Sequence, residues 1–238
     1  MSTVEVEIIE AGYSPDNMLI KDIFFTIDRG KIVGLIGVNG AGKTVIIRAM
    51  LGKLPHINGE MRIHEHKGQY SYVPEAPTFY EGLTMYEHIE LITSINSLSS
   101  WGNSFNIKEL IDGFDLSDYV HQFPTTFSKG MKHKFNLLLG LIKKADFYIF
   151  DDPFTCLDMK GKHLFLNCLR QLKDEGSAIL IASSASTMVD DLCDSYIYIH
   201  NKTLFMAASH NHIKVKCEQE NQESLDCLYH LDVRRHLL

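Results

Sequence analysis

The residues whose types and spacing most directly indicate chemistry form one glycine-rich run near the N-terminus. Before the run, residues 31–36 are mostly apolar and predict a buried strand, and after it residues 45–51 predict a helix. The run consists of Gly37, Val38, Asn39, Gly40, Ala41, Gly42, Lys43 and Thr44. A strand, a glycine-rich turn that ends in Lys-Thr and a helix together make the pattern of a phosphate-binding P-loop.

This pattern predicts a site for a nucleoside triphosphate. Glycines let the backbone curl so that successive N–H groups face one point, where the helix N-terminus adds the positive end of its dipole. Lys43 can place its charge against the β- and γ-phosphates, and the Thr44 hydroxyl can bind Mg²⁺. The sequence therefore predicts that ATP or a similar nucleotide binds here with Mg²⁺.

Two later stretches carry groups that suit the same ligand. An apolar run over residues 145–150 ends in Asp151 and Asp152, which is the Walker B arrangement. In a doubly wound sheet the first carboxylate lies beside the P-loop, where it can hold Mg²⁺. Ser128 is placed as the N-cap of a predicted helix over residues 132–144, and the N–H groups after it form a second potential anion site.

One aromatic residue falls in a turn-rich stretch ahead of the P-loop. Residues 11–17 predict a polar loop between strands over 4–10 and 23–27, and Tyr13 lies inside it. Its ring could stack on adenine, or it could be an ordinary surface aromatic. The sequence alone leaves these two interpretations equal.

Length, charge and composition limit the number of domains and the kinds of partner that the chain can have. The chain has 238 residues, which suits one large α/β domain or two small ones, and its net charge of −7 does not favour nucleic acid as a partner. No run approaches 18 apolar residues, so we expect no membrane span. The five cysteines are odd in number and lack metal-ligand spacing, which indicates reduced thiols in a cytosolic protein.

The order of these motifs resembles the ATP-binding subunit of an ABC transporter, and the resemblance spans nearly the whole chain. Residues 127–132 resemble the signature motif of that family in the variant typical of bacterial two-component exporters. Residues 72–77, 127–134 and 224–229 look most like the Ecs-type exporter subunit of Gram-positive bacteria.

The resemblance implies an α/β fold of the P-loop NTPase class. It predicts a RecA-like core with a mixed sheet, an antiparallel β subdomain and an inserted α-helical subdomain. We expect an ABC ATP-binding domain over residues 1–208, with the helical subdomain at about 76–145, followed by a polar linker and a C-terminal helix over 209–238.

The resemblance also implies a mechanism in which two subunits stack head to tail. ATP at one P-loop is then closed over by Ser128 and Gly130 of the second subunit. The resemblance implies catalytic roles for Asp152, Glu75 and Asp158. It implies that the nucleotide is bound by Tyr13, Gly37 to Thr44, Ser128 and Gly130. It implies that Mg²⁺ is bound by Thr44, Glu75 and Asp151.

The chain departs from the family pattern at three positions. Glu75 stands where the family usually has Gln, a change common in exporter-type relatives. Asp152 stands where the family usually has Glu, so the carboxylate that polarises the attacking water is one methylene shorter. Ala185 stands where the family places a His that contacts the γ-phosphate. Two weakened groups in one site predict slow hydrolysis.

Three functions follow from the resemblance. The first is an ATPase that drives a separate membrane permease, which docks beside the Glu75 loop, so that the subunit lies in the cytoplasm at the inner face of the membrane. The second is a hydrolysis-impaired regulatory clamp, which could be the degenerate half of a heterodimer. The third is a soluble ABC ATPase acting on ribosomes or DNA, although those relatives usually carry two cassettes or a long insertion. Homodimer and heterodimer remain open.

Overall fold

The computed structural model describes residues 2–64, 68–97, 105–184, 192–200 and 203–209. These residues form both strands and helices, as the resemblance implies for an α/β protein. The strands are β1 (Ser2–Ser14), β2 (Asn17–Asp28), β3 (Ile32–Ile36), β4 (His56–Ile63), β5 (Tyr70–Val73), β6 (Phe147–Asp151), β7 (Ala178–Ser183), β8 (Ser195–His200) and β9 (Thr203–Ser209). The α-helices are α1 (Lys43–Met50), α2 (Met85–Ser97), α3 (Ile107–Gly113), α4 (Lys129–Ile142) and α5 (Met159–Asp174).

The chain divides into two compact units. The first comprises the described residues within Met1–Val4, Ile27–Lys31 and Ile63–Ile181. The second comprises those within Glu5–Thr26, Ile32–Arg62 and Ala182–Leu238.

The second unit is built on strands in the order β4-β1-β2-β9-β8-β3. β3 runs parallel to β8, with Val33 opposite Ser195, and β8 pairs antiparallel with β9. All five residues of β3 are buried, because this strand is covered on both faces. Its carboxyl end leads directly into the glycine-rich run.

The position of Tyr13 differs from the one that the sequence predicted. This residue lies in β1 and not in a polar loop over 11–17, since β1 extends to Ser14 and a turn of two residues leads to β2. Adjacent strands joined by such a short turn form a hairpin. The strand continues through Gly12 because β2 passes close to it: a Cβ at Gly12 would lie 2.2 Å from the carbonyl oxygen of Asn17.

The first unit holds the strand order β7-β6-β5. β5 and β6 are parallel, with Val73 opposite Phe150, and the connection between them contains α2, α3 and α4. A parallel pair needs a crossover of this kind, which here contains the predicted helical subdomain. The core of the unit includes fully buried aromatic side chains, namely Phe114, Phe135, Phe147, Tyr148, Phe150 and Phe165.

Helix α4 begins at Lys129, three residues before the start at Lys132 that the sequence predicted. The reason is the N-cap, which was predicted correctly: the Ser128 hydroxyl accepts a hydrogen bond from the Met131 N–H at 3.2 Å, so the helix starts with the next residue. Among the described residues, no helix is both long enough and apolar enough to cross a membrane. The predicted C-terminal helix and residues 224–229 lie outside the described part.

Candidate functional site

The glycine-rich run forms a tight turn between β3 and α1. Gly40 and Gly42 have φ angles of 82° and 111°, in the left-handed region that favours glycine. Gly37 is required for a different reason, since a Cβ there would lie 2.7 Å from the carbonyl oxygen of Ile199 on β8. Because Gly42 is the N-cap of α1, the helix opens without a capping side chain. The backbone thus presents a glycine-lined helix N-terminus, the arrangement that binds phosphate.

Lys43 folds back over this turn. Its side chain is only 7% exposed, and Nζ donates hydrogen bonds to the carbonyl oxygens of Gly37 at 2.7 Å and Val38 at 3.3 Å. The ammonium group is therefore held at the concave side of the loop by the loop itself. An ammonium in this position is placed to meet an anion that the backbone N–H groups bind.

Tyr13, in the same unit, is 49% exposed at the end of β1. Its hydroxyl accepts a hydrogen bond from Nη1 of Arg48 on α1 at 3.4 Å. This contact links the ring to the helix that follows the phosphate-binding turn. An exposed aromatic ring anchored at its hydroxyl leaves its face available for stacking.

In the first unit, three predicted carboxylates lie at or just after the ends of two adjacent strands. The register pairs Val73 with Phe150, so Glu75, Asp151 and Asp152 all come at the carboxyl edge of this parallel pair. Asp151 is 3% exposed, whereas Glu75 is exposed. This is the edge at which open α/β sheets bind ligands.

Asp152 begins a strained turn. Its φ is 51°, in the left-handed region, and its Oδ1 accepts a hydrogen bond from the Thr155 hydroxyl at 3.2 Å. A non-glycine residue in this conformation is uncommon, and the surrounding structure must hold it there. The short carboxylate is thus tied to its own turn.

The first turn of α4 lies beside the loop that follows β6. Gly130 is not required there by the fold, because a Cβ would lie 3.7 Å from the carbonyl oxygen of Cys156, an ordinary contact distance. Its φ is not in the left-handed region either. The fold of this chain would therefore accept a side chain at position 130.

Asp158 is the N-cap of α5. Its Oδ1 accepts a hydrogen bond from the Gly161 N–H at 2.7 Å, and its Oδ2 accepts one from Nζ of Lys134 on α4. The hydrogen bond from Lys134 and then that from Gly161 hold the pKa of the Asp158 carboxyl below its usual value. Asp158 thus connects α4, through Lys134, to the first turn of α5.

His133, which the sequence reasoning did not single out, contacts the turn that follows the two predicted carboxylates at residues 151 and 152. It is 4% exposed on α4, and its Nε2 lies 2.8 Å from the carbonyl oxygen of Pro153, the residue after Asp152. A signal was present, since His133 shares a helical face with Leu137 and Leu141, and a histidine on a core-facing side must find a hydrogen-bond partner.

The structure therefore places the predicted residues in two groups. Tyr13 and the phosphate-binding turn belong to one unit, while Glu75, Ser128, Gly130, Asp151, Asp152 and Asp158 belong to the other. Ala185 lies outside the described residues. The part of the chain that the structure describes holds no group of three His, Cys, Asp or Glu side chains arranged to bind a metal ion.

Comparison with known proteins agrees with the motifs. Residues 20–155 match the family described as ABC transporter. The chain is 33% identical over 226 residues to the uncharacterized ABC transporter ATP-binding protein YthP of Bacillus subtilis, covering 95% of each chain. It is 34% identical over 210 residues to the ABC-type transporter ATP-binding protein EcsA of the same organism, covering 84% of this chain and 85% of that protein.

A solved structure shares the fold. The chain superposes with a TM-score of 0.85 on a structure described as the ATP binding subunit of an ABC transporter, at 31% identity, covering 96% of this chain and 98% of that one. This similarity confirms the predicted P-loop NTPase fold, and the comparisons give no support to the hydrolysis-impaired alternative. The chain therefore belongs to the ABC transporter family, as an ATP-binding subunit.

Proposed function

We propose that this subunit binds ATP at residues 37–44 and hydrolyses it to drive a separate membrane permease. The observation that carries the proposal is the position of Lys43, a buried ammonium held at 2.7 Å from the Gly37 carbonyl oxygen inside a glycine turn. An ammonium held in this turn is placed to make charge-assisted contacts with the phosphates of ATP.

The predicted site residues include oxygen ligands that suit ATP bound with Mg²⁺. On the strength of the family motifs we assign Mg²⁺ to Thr44, Glu75 and Asp151, whose hydroxyl and carboxylate oxygens are the hard ligands this ion prefers. The ion neutralises phosphate charge when bound. Tyr13 is assigned to the adenine ring, which its exposed face can stack on.

A second copy, or a related subunit, completes the site in this proposal. Ser128 caps α4 at its N-terminus, and Gly130 in the first turn of that helix has no side chain of its own. Phosphate oxygens bound by a partner's P-loop can approach such a helix end closely. Asp158, tied to α4 through Lys134, is assigned to coupling between the two sites.

Members of this family work with membrane permeases, and we place this subunit at the cytoplasmic face of a membrane through such a permease. The exposed loop around Glu75 is the assigned docking region. Co-expression with its cognate permease should bring the subunit into the membrane fraction, while the subunit expressed alone should not sediment there. Sedimentation in both cases would refute attachment through a partner.

We also propose that this subunit hydrolyses ATP slowly. Asp152 occupies the position of the catalytic carboxylate, but it is one methylene shorter than the family's Glu and is tied to Thr155. Ala185 stands where the family has a His, and its methyl group cannot donate a hydrogen bond to a γ-phosphate. Binding of ATP depends on neither group, so we propose ordinary binding with slow turnover.

Calorimetry of Mg-ATP binding tests the main proposal. Lys43→Ala should weaken binding by at least tenfold, because a charge-assisted phosphate contact is lost. Lys53→Ala, which removes an exposed lysine of the same unit, is the matched control and should bind normally. Equal affinity of the two variants, with the fold intact by circular dichroism, would remove the P-loop assignment.

A further inference from the structure

The second unit contains a groove that the nucleotide site does not use. Its volume is about 490 Å³, and strands β1, β2, β3, β4 and β8 line it. Cavities of several hundred cubic ångströms accommodate a small ligand or a few side chains. The glycine-rich turn is not among its lining residues.

The groove is negatively charged. It is lined by three carboxylates, those of Glu5, Glu7 and Glu60, and by one cation, Arg62. Arg62 donates a hydrogen bond from Nε to Oε1 of Glu60 at 2.8 Å. The pKa of Arg62 is raised, first by its hydrogen bond to Glu60 and to a smaller extent by the charges of Glu7 and Glu5. The groove is therefore lined by more negative charges than positive ones.

The groove also has an apolar side. Phe24 on β2 lines it and is 50% exposed, which is unusual for a phenylalanine. A surface that combines exposed aromatic carbon with several carboxylates suits an occupant that is both cationic and apolar.

We propose that the groove binds this chain's own segment 233–238, which reads Val-Arg-Arg-His-Leu-Leu. This segment lies outside the described residues. Its sequence combines cationic and apolar side chains, which match the carboxylates and the exposed phenylalanine of the groove. Arg234 and Arg235 would meet the carboxylates, and Leu237 or Leu238 would pack on Phe24.

The connection to the described chain supports this occupant. β9 ends at Ser209, which pairs directly with Ser195, a residue that lines the groove. The chain therefore leaves the sheet at the groove. Residues 210–232 can span roughly 75 Å when extended, so the segment can reach back to it. A tethered segment also has a high effective concentration, which favours it over a free partner.

Photo-crosslinking in the full-length protein tests the proposal. Phe24 is replaced with p-benzoylphenylalanine, the protein is irradiated, and the joined peptides are identified by mass spectrometry. Equal mixing with an isotope-labelled copy separates adducts within one chain from those between chains. We expect the main adduct to join Phe24's position to residues 233–238 of the same chain.

The charge match is tested in the same experiment. Reversing both cations, Arg234→Glu with Arg235→Glu, should lower the yield of this adduct about fivefold, since two exposed ion pairs are lost. The same crosslinker at Phe123, an exposed phenylalanine of the other unit, is the control and should not capture this segment. A main adduct with another segment or another copy, no adduct at all, or a yield insensitive to charge reversal would overturn the proposal.

Discussion

The imidazole Nε2 of His133 donates a buried hydrogen bond of 2.8 Å to the carbonyl oxygen of Pro153. Because a carbonyl can only accept, this ring nitrogen carries the proton. The bond connects the helix that starts at the signature motif to the turn that holds Asp152. Pro153 follows Asp152 directly, so the bond fixes the backbone at the proposed catalytic carboxylate.

His133→Leu should therefore destabilise the protein by about 1–3 kcal/mol, because it leaves a buried carbonyl oxygen without a donor. It should also lower the turnover of ATP more than the affinity for it, since the loosened turn carries the proposed catalytic carboxylate and not the P-loop. Urea unfolding, calorimetry and phosphate release give the three values. His133→Gln, whose amide can donate a similar bond, should lose less in each. Equal stability of the Leu variant and the unmodified protein would show that the bond contributes nothing.

Gly140 allows α4 to pack closely on β5. A Cβ at this position would lie 2.1 Å from Cγ2 of Val73. We expect Gly140→Ala to cost about 1–3 kcal/mol by overpacking, measured by urea unfolding. In a Val73→Ala background the same change should cost clearly less, because the clashing methyl group is gone. Gly82→Ala, where no atom lies within 4 Å of the new Cβ, is the control. An equal cost of Gly140→Ala in both backgrounds would exclude this contact as the cause.

The pKa of Asp158 predicts a pH dependence of stability. Lys134 and the Gly161 N–H depress the pKa in the folded protein, so the ionised carboxylate contributes stability above the ordinary aspartate pKa of about 3.9. That contribution is lost as the pH falls through the depressed folded pKa. Asp158→Asn should therefore be less stable than the unmodified protein at neutral pH, with a difference that shrinks on acidification.

Denaturant unfolding across a pH series measures this difference. Lys134→Met should show the same trend, since it removes the first cause of the shift. A stability difference for Asp158→Asn that stays constant from neutral to acid pH would mean that ionisation of this carboxyl does not stabilise the fold.

Tyr13 is predicted to bind the base of the nucleotide. Tyr13→Ala should weaken ATP binding at least about fivefold, because stacking of a base on an aromatic ring is worth about 1–3 kcal/mol. Tyr13→Phe keeps the ring and loses only the contact with Arg48, so it should bind nearly normally. Calorimetry distinguishes these results, with Tyr86→Ala on α2 as the exposed-tyrosine control. Unchanged affinity of Tyr13→Ala would make Tyr13 an ordinary surface aromatic.

The shortened carboxylate predicts slow hydrolysis. Steady-state phosphate release at saturating Mg-ATP should fall well below the ordinary enzyme range of about 1–10³ per second. Asp152→Glu with Ala185→His should raise the rate more than either change alone, because both side chains would act on one water. An ordinary rate in the unmodified protein, with no gain from the double change, would show that Asp152 already reaches its water.

Features that depend on neighbours in the chain were predictable from sequence. The P-loop and the Ser128 cap each involve residues a few positions apart. In the structure the Ser128 hydroxyl accepts its hydrogen bond from the N–H of Met131, three residues further along the chain. Such contacts form within one turn of chain, so residue type and spacing suffice to predict them.

Only the tertiary structure decided which distant residues meet. His133 and Pro153 are 20 positions apart, and Lys134 and Asp158 are 24 apart. Tyr13 belongs to a strand because β2 returns close beside β1, although residues 11–17 have the composition of a loop. The physical reason is common to these cases. Hydrogen bonding and packing between elements depend on how the chain folds back, and local composition does not contain that information.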